Sequence, residues 1–184
     1  EGDAIAAPCV TLADDPLRRG GFATRAFDAE GVATYAKNVI DGGVLTTLLH
    51  NLKTAKKAGR ASTGNAARGG YAGQVTVAPS NFFLKPGEED LDALCARMEN
   101  GLVITDLEGL HAGANPVSGD FSLLSKGYLV ENGRKGHPVE QVTVAGNFFT
   151  LLKDVVAVGS DLKYAMGPVG SPSVWVLRLS VAGK

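Results

Sequence analysis

Short apolar blocks, broken by Gly, Pro and Asn, recur along this chain and predict strands joined by tight turns. Pro8-Cys9-Val10-Thr11-Leu12 reads as a strand ending at Asp14-Asp15-Pro16, because Pro16 disfavours helix at Asp15. Val32 to Ile40 and Val44 to Leu49 flank Asp41-Gly42-Gly43 and predict a hairpin. Leu45, Leu48, Leu49 and Leu52 also fit a helical period, so the second arm is ambiguous. A strand to about His50 and a short helix over 52–58, stopped by Gly59, accommodate both patterns. Gln74 to Ala78 alternates as a strand should.

Two stretches change period. After Pro86-Gly87, Leu91, Leu94, Cys95 and Met98 fall on one helical stripe, and Glu88, Glu89 and Asp90 suit the positive end of the helix dipole. Gly101 ends this helix. Asn147 caps a second helix, with Phe148, Leu151, Leu152, Val155 and Val156 on one face and Gly159 at its end. Between the two lie a short buried strand at 102–105, a loop over 108–118, and extended runs over 121–130 and 138–144. Asn132-Gly133 between these runs favours a type I′ turn with Glu131 opposite Arg134. Pro138 has no N–H to give a ladder, so its arm is an edge or carries a bulge. Val174 to Val181 closes the set as a strand. The pattern predicts an α+β fold: a largely antiparallel, twisted sheet built from hairpins, with two to three helices packed on it. No repeat or long linker divides residues 1–184, which read as a single domain.

The 184 residues carry a net charge of −1, which offers no general attraction to nucleic acid or acidic lipid. No apolar run reaches membrane-spanning length and no signal peptide is visible, so a cytoplasmic location is expected. Cys9 and Cys95 alone form no disulfide framework and read as two reduced, buried thiols. A strand soon after a first residue that is not Met suggests a processed product, an engineered piece or the latter part of a longer protein.

Candidate chemistry is sparse. Asp28 and Glu30 would share one face of an extended segment, as an acid/base pair or metal site needs, or belong to a solvated turn. Gly59 and Gly64 have phosphate-loop spacing, but Asn65-Ala66 stands where Lys and Ser/Thr are required. Lys53, Lys56, Lys57, Arg60 and Arg68, with no acid between 51 and 70, make either a solvated basic face or an anion contact. His50, His111 and His137 are scattered and no His-Glu-x-x-His helix exists. Ser118, His111 and Asp120 are too crowded in one loop to serve as a catalytic triad. His111 is left as a ligand or substrate contact, or a loop histidine bonded to backbone.

The run Gly109-Leu110-His111-Ala112-Gly113-Ala114-Asn115-Pro116-Val117-Ser118-Gly119-Asp120-Phe121-Ser122 resembles the signature of the TldD/PmbA family, in its PmbA (TldE) branch. Phe27-Asp28-Ala29-Glu30-Gly31-Val32, Gly43-Val44-Leu45, Ser62-Thr63-Gly64-Asn65-Ala66, Gly127 to Gly133 and Leu179 to Gly183 agree with its C-terminal domain, in order. The resemblance implies a two-subunit metallopeptidase that cuts unfolded peptides, with an older label as a modulator of DNA gyrase. It implies zinc on a TldD-like subunit bearing a His-Glu-x-x-x-His helix, and neither metal nor catalytic residue in this chain. His111, Asn115, Gly119, Asp120 and Phe121 are then the substrate- or partner-binding candidates. Gly119 would let a peptide approach, Asp120 would anchor a peptide N–H or a partner cation, and Phe121 would line a pocket. The alternative for the same turn is a strand entry with Phe121 in the core. The alternative for the chain is a non-enzymatic peptide-binding or scaffold domain, which could be homodimeric.

Overall fold

Backbone pairing sets the architecture of this computed structural model, which describes residues 1–165 and 167–183. In chain order the elements begin with β1 (Leu12–Asp14), β2 (Lys37–Asp41), β3 (Val44–Leu45), α1 (Leu52–Ala58), β4 (Ala66–Arg68), β5 (Val75–Val77), β6 (Phe82–Leu84), α2 (Leu91–Met98) and β7 (Gly101–Glu108). They continue with α3 (Leu110–Gly113), β8 (Asp120–Glu131), β9 (Arg134–Asn147), α4 (Phe148–Lys153), β10 (Val155–Val158), β11 (Lys163–Tyr164), β12 (Val169–Ser171), β13 (Val174–Val176) and β14 (Ser180–Ala182). Several mostly antiparallel sheets with few helices make the fold α+β, as the hairpin pattern predicts.

The chain forms two compact units, the first comprising residues 1–4, 10–85 and 162–172. Its six-stranded sheet runs β11-β12-β6-β1-β2-β3, antiparallel except where β12 meets β6. Val10, Ala13, Ile40 and Phe83 are buried. α1 covers the predicted residues because Asn51 and Thr54 form a reciprocal capping box and Gly59 closes the last turn.

The centre of this unit is polar. Asp14 is fully buried, and its Oδ1 accepts from Ser80 N at 2.6 Å and Ser80 Oγ at 2.5 Å. Its Oδ2 accepts from Asn65 Nδ2 at 2.7 Å and Lys37 Nζ at 3.3 Å. Asn65 Oδ1 in turn accepts from Thr63 Oγ1 and Lys37 Nζ. Burial pushes the Lys37 ammonium below the ordinary lysine pKa, and the Asp14 charge opposes that shift. A buried carboxylate is tolerated here because four donors replace its water.

The second unit holds residues 5–9, 86–161 and the chain from Ser173 onward. Its four-stranded antiparallel sheet runs β14-β9-β8-β7. Asn132 and Gly133 take φ of 51° and 73°, and Glu131 faces Arg134, so the hairpin closes on the predicted turn. Leu94 and Cys95 of α2 are buried, as are Leu123, Val130, Val142 and Val144 of β8 and β9. Burial raises the Cys95 thiol pKa, as for an inert core cysteine.

Several expectations give way. β1 covers Leu12–Asp14, where the sequence predicts a strand over Pro8 to Leu12 ended by Asp14-Asp15-Pro16, and Asp14 lies in the core. α2 starts after Asp90, whose carboxylate accepts from Ala93 N, so Glu88 and Glu89 precede the helix. α2 ends at Met98 and is capped by Glu99, which takes φ of 64°, and Gly101 already belongs to β7. α4 stops at Lys153 because the β-branched run from Val155 pairs with β13. The closing strand splits into β13 and β14, which serve different sheets. Cys9 is exposed, with Sγ donating to Val155 O at 3.7 Å, so only Cys95 is the buried thiol expected.

Candidate functional site

The loop before β8 contains a single helical turn, α3, which holds His111 with an exposed side chain. Asn115 then folds the chain back. Its Oδ1 accepts from Val117 N at 2.9 Å and Ser118 N at 3.2 Å, and its backbone O accepts from Gly119 N at 2.8 Å. Gly119 has φ of 80°, and a Cβ there would stand 2.7 Å from the Phe149 ring. No other residue fits both the backbone and the space.

Asp120 opens β8 opposite Asn147, the last residue of β9. Asn147 Nδ2 donates to Asp120 Oδ1 and to Ser118 O, both at 2.8 Å, while its Oδ1 accepts from Phe149 N and Thr150 N to cap α4. One amide therefore locks the turn, the strand entry and the helix start. Its hydrogen bond, with that from Ser118, holds the Asp120 carboxyl below its ordinary pKa, so the exposed group stays anionic and can accept. Phe121 is half-buried, 3.1 Å from where a Cβ on Gly146 would sit.

Beside this clamp lies an open groove lined by residues including Gly146, Asn147, Leu151, Asp154, Arg178, Leu179 and Ser180. One side is β14, an outer strand whose three residues are all exposed. Arg178 Nε lies 3.9 Å from Asp154 Oδ2 and is mostly exposed, so its guanidinium is available to a ligand. Phe148 and Phe149 are half exposed near the same turn and stack edge to face.

Of the sequence candidates, Asn115, Gly119, Asp120 and Phe121 form this one turn, and His111 sits on the helical turn ahead of it. The sequence marks Asn147 only as a helix cap, and no motif in it points to Asp154 or Arg178. The Asp28–Glu30 pair is structural. Asp28 is buried and accepts from Glu30 N, Val32 N and Ala66 N, and Glu30 Oε2 accepts from Leu52 N at the start of α1. Among the described residues no three His, Cys, Asp or Glu side chains gather as a metal set. No helix among them is long and apolar enough to cross a membrane.

The family described as "PmbA/TldA metallopeptidase C-terminal domain" matches residues 1–183, and the chain belongs to this PmbA/TldD family. A "Metalloprotease PmbA" of Escherichia coli O157:H7 is 31% identical over 183 residues, spanning all of this chain and 38% of that protein. A "Metalloprotease" of Methanothermobacter thermautotrophicus is 34% identical over 92% of this chain and 37% of its own length. The crystal structure of a Thermotoga maritima protein described as a candidate modulator of a DNA gyrase superposes with a TM-score of 0.90 at 46% identity. It covers 98% of this chain, which spans 41% of that protein. TldE from Thermococcus kodakarensis superposes at 0.89 with 25% identity, over 99% of this chain and 41% of its own. The chain thus spans about two fifths of the length of these relatives.

Proposed function

We propose that this chain is the C-terminal domain of a metal-free, PmbA/TldE-like subunit that works in the cytoplasm beside a zinc-bearing subunit of a heterodimeric metallopeptidase. In this reading the domain holds an unfolded peptide and cleaves nothing by itself. A peptide lies along β14 as an added strand, because backbone hydrogen bonds give affinity that tolerates many sequences. Asp120 accepts a peptide N–H at one end of the groove. Arg178, released from its long contact with Asp154, meets a peptide carboxylate. The zinc of the partner would supply the Lewis acid and activated water for amide hydrolysis.

The observation that carries the reading is the Asn147 clamp. It fixes an anionic, exposed acceptor beside an open edge strand, and it engages Asp120 as a hydrogen-bond acceptor and not as a base paired to a nucleophile. Support comes also from the match over nearly the whole chain to the domain family and to TldE. Two measurements on the purified full-length protein test it: zinc content after dialysis, and hydrolysis of a disordered casein peptide. Substoichiometric zinc and no cleavage are expected. Tight stoichiometric zinc with hydrolysis by this protein alone would overturn the proposal.

A further inference from the structure

Residues 42–87 contain no Asp or Glu, and α1 gathers three of their cations on one side of two helical turns. Lys53, Lys56 and Lys57 fall at i, i+3 and i+4, so they share a face, and all three are exposed. Asn51 and Ala55 are buried on the opposite side. The Asn51–Thr54 capping box and the Gly59 cap fix both ends of the helix, and with them the spacing of the three lysines. Two acids reach this element and both are engaged: Glu30 Oε2 accepts from Leu52 N, and Glu1 Oε2 pairs with Arg60 at 2.8 Å. Among the described residues no ion pair engages Lys53, Lys56 or Lys57.

This arrangement works against the helix. Like charges three and four residues apart repel. The helix dipole favours Lys56 and Lys57 in the last turn, but it disfavours Lys53 in the first. A bound anion relieves all three. Lys53 and Lys57 are about 6 Å apart along the helix axis, and carboxylates on alternate residues of an extended peptide are about 7 Å apart. Leu52 is half exposed and stands one turn before Lys56, on the flank of the same face. That leucine discriminates between anions. A sugar–phosphate backbone or a free phosphate has no apolar group to cover it. One leucine on two turns is too little apolar surface to enter a bilayer. A peptide with an apolar side chain beside its carboxylates matches both features.

We infer that the Lys53–Lys56–Lys57 face of α1 docks an acidic stretch of unfolded peptide, with Leu52 covered by an apolar side chain of the same stretch. The inference rests on the peptide-holding reading and gives it a substrate class: peptides in which Asp or Glu alternate around an apolar residue. The experiment uses the full-length protein and its K53Q/K56Q/K57Q and L52A variants. The probes are two short, disordered, fluorescein-labelled peptides, identical except that Glu around a central Leu in one is Gln in the other. Kd is read by fluorescence anisotropy at low and high salt, with oligo-dT and phosphatidylserine vesicles as competitors. Wild type should bind the Glu peptide roughly tenfold more tightly than the Gln peptide at low salt, and the gap should narrow at high salt. The triple variant should lose that preference, bind the Gln peptide as wild type does, and keep Tm within about 2 °C. L52A should weaken binding of both peptides roughly threefold. Equal binding of the two peptides by wild type would overturn the inference and leave the peptide-holding reading standing. Binding of neither would remove both. A Glu preference that survives in the triple variant, or a fall in its Tm beyond that range, would contradict the assignment to α1. Displacement of the Glu peptide by oligo-dT or by vesicles, lost in the triple variant, would make a phosphate-bearing polymer or surface the occupant and contradict the inference.

Discussion

Two asparagine–aspartate pairs, one in each unit, show how burial divides the work of identical side chains. Asn65 donates to Asp14 at 2.7 Å where neither residue sees water, and Asn147 donates to Asp120 at 2.8 Å on the surface. The first carboxylate has four donors and no free direction, so it can only hold the fold. The second keeps a water-facing side, so it can meet another molecule. Geometry alone does not separate a structural pair from a functional one; solvent access does.

The largest way to break that contrast is Asp14→Ala. It leaves Lys37 charged and unpaired and strips Ser80 and Asn65 of an acceptor, so urea denaturation should show a loss of about 3–5 kcal/mol. Gly119→Ala comes next. It forces a side chain into left-handed backbone and into the Phe149 ring, at a cost of about 2–4 kcal/mol by the same assay. Asn147→Ala removes the α4 cap and should cost about 1 kcal/mol. The same variant should bring the Asp120 pKa back up toward its ordinary value in a carboxyl NMR titration. Since that pKa is lowered in the fold, its stabilising contribution is present above the unfolded carboxyl value and is lost as pH falls through the folded one. Asn147→Ala should flatten that acid limb of the stability curve. The smallest effect belongs to Asp120→Asn, which should leave Tm within about 2 °C of wild type.

The sequence made local features legible and hid those that depend on register. The span of α1, the Asn132-Gly133 turn and the Cys95 stripe follow from contacts a few residues apart. Counting back from that turn without interruption would set Asp120 against Ala145. The register slips by one residue between Tyr128 and Val130 and again between Ser125 and Gly127, which brings Asn147 opposite instead. Pro138 signalled a bulge, but not that there are two. The clamp was therefore out of reach, although four of its neighbours were named. The Asp14 network was hidden for a different reason. Its members are 51 and 66 residues apart in sequence, and each alone looks like a turn residue. The split of the closing strand and the early end of α4 are tertiary choices, made when Val155 to Val158 pair with β13.

Steady-state peptide cleavage by the reconstituted two-subunit assembly, with Asp120→Asn against wild type, tests the central claim most directly. If the Asn147-clamped carboxylate holds substrate and catalysis is supplied by the other subunit, KM rises roughly tenfold and kcat is unchanged. A fall in kcat at constant KM would place Asp120 in the chemical step and contradict the account.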